Sequence, residues 1–339
     1  MSCWRIVAIV VLAMLAALPA RAQDKPELGK VRLAVGGKPA LFYLPLTVVE
    51  RLGLFREQGL DVEISDFAGG ARALQALIGG SADVVTGSFD HTIQMQAKGQ
   101  PVVGVVQLGR YPGYVLGVLA TKAQAYGGPK DLKGTKIGIT APGSGTHFMA
   151  QYVMVRNGLK RDDASFVGVG ASASAVAAVR RGEIDAIVNV DPVISLLESQ
   201  KLIKVVADTR TEDGTRAIFG GIYPAATLYA PAAFLEKNPR TVQALANAFV
   251  RGLKWMAGRS ADEIAAVMPE EYALGDKGLY IQSIKNSLPM YSPDGRFSRE
   301  GAEVAYQVLK EFDPEVAGAR IDVTATYTDA FVAKALASP

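Results

Sequence analysis

Ser144, His147, His91, Asp90 and Asp191 are the side chains whose types and spacing offer chemistry. Ser144 and His147 with a distant Asp are the members of a nucleophilic triad. The serine, however, sits in Gly143-Ser144-Gly145 and lacks the Gly-x-Ser-x-Gly elbow, which gives acyl transfer little support. His91 and His147, the two histidines of the chain, could join Asp90 and Asp191 around a metal. No local ligand spacing links them, so histidines acting as hydrogen-bond donors are the plainer reading. Ser144-Gly145-Thr146 at the amino end of a helix would offer free N–H groups and the positive end of the dipole to a ligand, or would simply cap that helix. Ser88, at the end of a strand, has a similar claim to ligand contact.

Phe42, Tyr43, Phe89, Tyr114, Phe148, Tyr223 and Tyr229 fall on or near the same segments. Each alone is ordinary core material; together they favour an organic ligand with a planar or apolar part over a bare inorganic anion. Asp90 and Asp191 add acceptors, which suits a ligand with N–H or cationic groups. Asp191-Pro192 also reads as a strand terminator.

The elements that must position these residues form an internal repeat, Val31–Thr92 over Lys136–Ile194. Both copies read strand, small-residue loop, helix, strand, small-residue loop, helix, Gly-x-x-Asp, strand. Ala73–Gly80 aligns with Ala175–Gly182 and Asp83 with Asp185, without a gap. Asp83 and Asp185, repeated at equivalent positions, point to architecture. Strands alternating with helices make parallel sheets with right-handed crossovers, so each copy predicts one doubly wound α/β lobe. Ligands of open α/β sheets sit beyond the carboxyl ends of the strands. The loops there are Gly37–Tyr43, Ala68–Arg72, Gly87–His91, Pro142–Phe148, Gly170–Ala173 and Asn189–Pro192, and two facing lobes would bring them together across a cleft.

Val115–Thr121 and Ala225–Pro231 connect the copies and are the expected hinges. After Pro231 come helices without strands, expected to pack on the first lobe. The expected division is residues 30–120 and 225–339 in the first lobe and 121–224 in the second. Ahead of both, Met1–Ala22 carries Arg5, the apolar run Ile6–Leu18, Pro19 and Ala20-Arg21-Ala22, the pattern of a secretory signal cleaved after Ala22. Cys3 lies within it, which leaves the mature chain without a thiol for disulfides, nucleophilic catalysis or metal binding. The formal net charge of +3 includes Arg5 and Arg21 of that signal. So small a balance gives no reason to expect nucleic acid or an acidic membrane as partner.

The chain resembles the type II periplasmic binding proteins of the sulfonate, nitrate, taurine and thiamine-pyrimidine-precursor group. The resemblance rests on Glu50-Arg51-Leu52-Gly53-Leu54-Phe55, Gly59-Leu60-Asp61-Val62-Glu63, Ala76-Leu77-Ile78-Gly79-Gly80 with Asp83-Val84, Asp131-Leu132-Lys133-Gly134, Gly143-Ser144, Val179 to Ala186, and Asp191-Pro192. It implies two lobes joined by two crossovers and, as partners, a membrane permease and an ATPase. A simple sulfonate or nitrate site would offer more positive charge than these loops do. The family also includes an intracellular thiamine-pyrimidine synthase that consumes its own histidine; the signal peptide argues against that role here. The expectation is a monomeric, non-enzymatic, periplasmic protein without cofactor or metal that closes around a small organic ligand, aromatic or heterocyclic and either neutral or anionic; the alternatives are a periplasmic enzyme using the same cleft and a ligand-binding sensor subunit. Its expected ligand contacts are Lys38, Phe42, Tyr43, Gly70, Ser88, Phe89, Asp90, His91, Tyr114, Ser144, Gly145, Thr146, His147, Asn189, Asp191 and Tyr223.

Overall fold

The β-branched runs of the two copies assemble into two five-stranded sheets in a computed structural model that describes residues 25–337. The expected leader and its cleavage point lie outside those residues. The first sheet has the order β2-β1-β3-β10-β4, from β1 (Lys30–Gly36), β2 (Asp61–Phe67), β3 (Val84–Ser88), β4 (Val102–Gln107) and β10 (Ala226–Pro231). The second has the order β7-β6-β8-β5-β9, from β5 (Val115–Leu119), β6 (Lys136–Ile139), β7 (Ser165–Gly168), β8 (Ala186–Asn189) and β9 (Ile203–Asp208).

The sequence repeat is a repeat in space. β1 takes β2 and β3 as parallel neighbours, with Val31 opposite Val62, and β6 takes β7 and β8 likewise, with Ile137 opposite Phe166. β3 and β8 are buried along their whole length because helices cover both faces of the sheet, which is why they read as nearly unbroken runs of small and apolar residues. β2, at an edge, alternates between half-buried and exposed.

The sheets are mixed rather than wholly parallel. β10 runs antiparallel between β3 and β4, and β5 antiparallel between β8 and β9. The two runs expected as hinges are these interior strands. Val115–Leu119, expected in the first lobe, pairs in the second sheet. The chain changes sheet within residues 108–114 and 209–225.

The helices after β10 cover the first sheet and reach beyond it. Pro239–Ala257 packs on Leu44–Arg51, on β4 and on Ala330–Ala337. Gly252 permits the close approach, since a Cβ there would lie 2.5 Å from Val49 Cγ2. Arg299–Phe312 packs against Gly145–Arg156 and Glu212–Phe219 of the second half, and Lys277–Ser287 against Val193–Ser199. One apolar cluster joins Val31 and Phe249 to Leu116, Ile137 and Tyr152, so the two halves share a core. Among the described residues no helix is long and apolar enough to cross a membrane.

Candidate ligand-binding cleft

The carboxyl ends of β1, β3 and β6 lead into Leu41–Tyr43, Asp90–Ala97 and Gly145–Arg156, and the loop after β2 leads into Gly70–Ile78. These segments meet across the gap between the sheets. Ala71 N–H donates to Ser144 Oγ at 3.0 Å and Leu41 N–H to the Asp191 carbonyl at 2.8 Å. His91 Nε2 lies 3.2 Å from the Gly143 carbonyl. Gly36 allows β1 to end against the turn at Gly70, whose nitrogen a Cβ on Gly36 would meet at 2.1 Å. The cleft is thus closed, and the space left inside is about 20 Å³, room for about one water molecule.

Aromatic rings fill the rest. Tyr114 lies nearly parallel to Phe42, with ring centroids 5.5 Å apart and 16° between planes, and Tyr43 meets Phe42 edge-on at 4.7 Å. Behind them is a carboxylate with two hydroxyl donors. Ser88 Oγ donates to Asp90 Oδ2 at 2.5 Å, and the Tyr223 hydroxyl donates to Asp90 Oδ1. The Tyr114 hydroxyl is 3.3 Å from Ser88 Oγ. Burial raises the Asp90 carboxyl to about 6 against the lowering effect of Ser88 and Tyr223. On the facing wall, Thr140 and Thr146 share a hydroxyl contact of 2.9 Å.

The histidines bracket Gly143. The carbonyl can only accept, so His91 carries its proton on Nε2 and takes the Tyr229 hydroxyl on Nδ1, 3.0 Å away. His147 accepts the Gly143 N–H on Nδ1 at 3.0 Å. Burial lowers both to about 4, with Arg161 adding to the effect on His147.

Phe42, Tyr43, Gly70, Ser88, Tyr114, Ser144, Gly145 and Thr146 line the closed cavity. Asp90 and Tyr223 stand one layer behind, reached through Ser88. Four expected contacts are engaged elsewhere. Lys38 pairs with Glu50 at 2.6 Å. Phe89 packs on Phe297 and Tyr327. Asn189 donates to the Gly170 carbonyl and accepts from Val190 N–H. Asp191 accepts from the Ser195 N–H and hydroxyl and faces Arg210. His147 opens onto a separate pocket of about 290 Å³ shared with Gln94, Arg161 and Asp313. Gly36, Ala40, Thr140, Ala171 and Val190 also line the cavity. Their one signal in the sequence is position, at or just past the end of a strand.

A family model described as "NMT1/THI5 like" matches residues 43–261. The "putative binding protein YtlA" of Bacillus subtilis is 25% identical over 275 residues, 80% of each chain. A 4-amino-5-hydroxymethyl-2-methylpyrimidine phosphate synthase of Saccharomyces cerevisiae is 26% identical over 163 residues, 48% of this chain and 46% of the synthase. A solved structure from Bordetella bronchiseptica RB50 is 49% identical, with a TM-score of 0.90 over 92% of this chain and 98% of that one. The alkanesulfonate-binding protein SsuA from Xanthomonas axonopodis pv. citri, bound to MOPS, shares the fold at 18% identity, with a TM-score of 0.67 over 91% of this chain and 98% of that one. The matched span takes in the whole second sheet, four of the five strands of the first and five of the six cleft loops, and on that extent the chain belongs to the NMT1/THI5-like family.

Proposed function

We propose that this protein is the periplasmic solute-binding subunit of an ATP-driven importer. It captures a small organic molecule with a planar part and presents it, as a monomer, to a membrane permease and its ATPase. The observation that carries the reading is the closure itself. Loops from two separate sheets meet through Ala71 to Ser144, Leu41 to Asp191 and His91 to Gly143 over a cavity walled by aromatic and hydroxyl side chains. A ligand that bridges such walls favours the closed arrangement, and the closed form is what the permease would recognise. The similarity to a binding protein over most of both chains supports the same reading.

The partial similarity to a pyrimidine phosphate synthase favours a second reading, an enzyme using the same cleft. Against it, Ser144 Oγ accepts from Ala71 N–H and His147 Nδ1 from Gly143 N–H, and among the described residues no side-chain hydrogen bond pairs the two as nucleophile and base. Native mass spectrometry of protein recovered from the periplasm, with a melting screen against pyrimidines, aromatic acids and sulfonates, separates the two. A molecule released intact from a monomer, or a saturable rise in melting temperature, supports the binder. Turnover of any of these compounds, with no bound species, would put the enzyme first.

A further inference from the structure

We infer that the Tyr114 side chain occupies the ligand's own place in the cleft, and that the ligand displacing it is a compact planar ring donating an N–H or O–H to Ser88. This rests on the binding reading above and adds the ligand class and the residue that competes with it.

Space comes first. A benzene-sized ring needs a cavity of about 150 Å³, and the closed cleft has about 20 Å³. The lobes are already joined by hydrogen bonds from the Ala71 and Leu41 N–H groups and the His91 imidazole of the first half to Ser144, Asp191 and Gly143 of the second, so a ring enters this arrangement only if a ring leaves it. Tyr114 is the ring in question. It is buried, lies parallel to Phe42, and reaches the first turn of Gly145–Arg156 so closely that a Cβ on Gly145 would fall 2.1 Å from its hydroxyl oxygen.

The polarity of the site follows from counting protons. Ionised Asp90 is an acceptor only, and both of its oxygens receive hydroxyl protons, one from Tyr223 and one from Ser88. Ser88 has a single proton. With that proton on Asp90, Ser88 shows lone pairs to the cavity, and the Tyr114 hydroxyl beside it is the donor. A group taking that position must donate as well. A carboxylate or sulfonate there would face lone pairs backed by a buried negative charge, with no Lys or Arg lining the cavity. An amino- or hydroxy-substituted aromatic or heteroaromatic ring, neutral or cationic, satisfies both the stacking and the proton count.

The test uses the mature full-length protein, its Tyr114→Ala variant, and phenol, aniline, benzene, benzoate and benzenesulfonate as probes in melting and calorimetric titrations. Phenol and aniline should bind Tyr114→Ala saturably and raise its melting temperature, and they should bind at least tenfold tighter than benzoate or benzenesulfonate. Adding Ser88→Ala should erase the preference for phenol over benzene. Equal binding of phenol and benzoate, or of phenol and benzene, by Tyr114→Ala would overturn the inference. Should Tyr114→Ala fail to fold, Tyr114→Phe decides: loss of the competing hydroxyl should tighten phenol binding about threefold to tenfold over wild type, the worth of one hydrogen bond, and unchanged binding overturns the inference. None of these readouts needs the natural ligand, so failure here leaves the importer reading to its own experiment.

Discussion

His91 reaches from the end of β3 across the cleft and, through Nε2, takes the carbonyl oxygen of Gly143 at 3.2 Å. On its other side Nδ1 takes the Tyr229 hydroxyl, so a single imidazole links the helix after β3 and the strand β10 of the first half to a loop of the second. Replacing it by alanine leaves a buried hole and strands the Tyr229 hydroxyl. The expected loss is about 2–3 kcal/mol of unfolding free energy, with a more open unliganded form. Urea unfolding and small-angle scattering of His91→Ala check both. An unchanged radius of gyration would mean that closure does not depend on this contact.

The same burial sets a pH dependence with opposing parts. His91 and His147 titrate near 6.5 when unfolded and about 4 when folded, so their contribution is full above pH 6.5 and is lost as the pH falls toward 4. For His91 the full difference is on the order of 3 kcal/mol. Asp90 runs the other way. Its folded value of about 6 lies above the ordinary 3.8, so its contribution is present at low pH and is lost as the pH rises through 6. The melting temperature should therefore drop from pH 7 to 5, less steeply in His91→Gln and more steeply in Asp90→Asn. Parallel curves for wild type and Asp90→Asn would show that the carboxyl is not perturbed by folding.

Arg210 is a largely buried cation that no sequence motif marks. Its guanidinium spans Asp208 at 2.6 Å, Glu198 at 3.0 Å and Asp191 at 3.5 Å. Burial works against its charge, and the three carboxylates outweigh that and hold it charged. Arg210→Met would leave buried Asp191 facing two other carboxylates without a cation, a loss of about 3 kcal/mol or more. Chemical denaturation measures this. A loss under 1 kcal/mol would mean that Ser195 alone satisfies Asp191.

What was legible in the sequence is what local pattern encodes. The repeat around Ala73–Gly80 and Ala175–Gly182 gave the matching halves, and the strand ends gave Ser88, Ser144, Gly145 and Thr146, because in an open α/β sheet the carboxyl ends define the site. Strand direction was not legible. Val115–Leu119 and Ala226–Pro231 are β-branched and apolar, as any buried strand is, and only the partner strand makes them antiparallel interior members rather than connectors. Side-chain allegiance was hidden for the same reason. Lys38 and Asp191 lie in cleft loops, yet their charges are claimed by Glu50 and Arg210, at a distance along the chain that composition cannot reveal.

Gly145 is where fold and site make the sharpest joint demand. It opens the helix Gly145–Arg156, a position where most residues are tolerated, and its φ is not in the left-handed region. The reason for glycine is steric. An alanine Cβ would sit 2.1 Å from the Tyr114 hydroxyl oxygen and 2.7 Å from its Cζ. Alanine gains up to about 1 kcal/mol of helix propensity, and against a rigid ring it incurs about 1–3 kcal/mol of overpacking. Gly145→Ala should therefore destabilise the wild-type protein and be neutral or stabilising in a Tyr114→Ala background, where the obstacle is gone. Urea unfolding of the four proteins closes the cycle, with a coupling above about 1 kcal/mol expected. A coupling near zero would mean that the two groups are not in contact in solution, and that the cleft of the unliganded protein stands open with Tyr114 turned out of it.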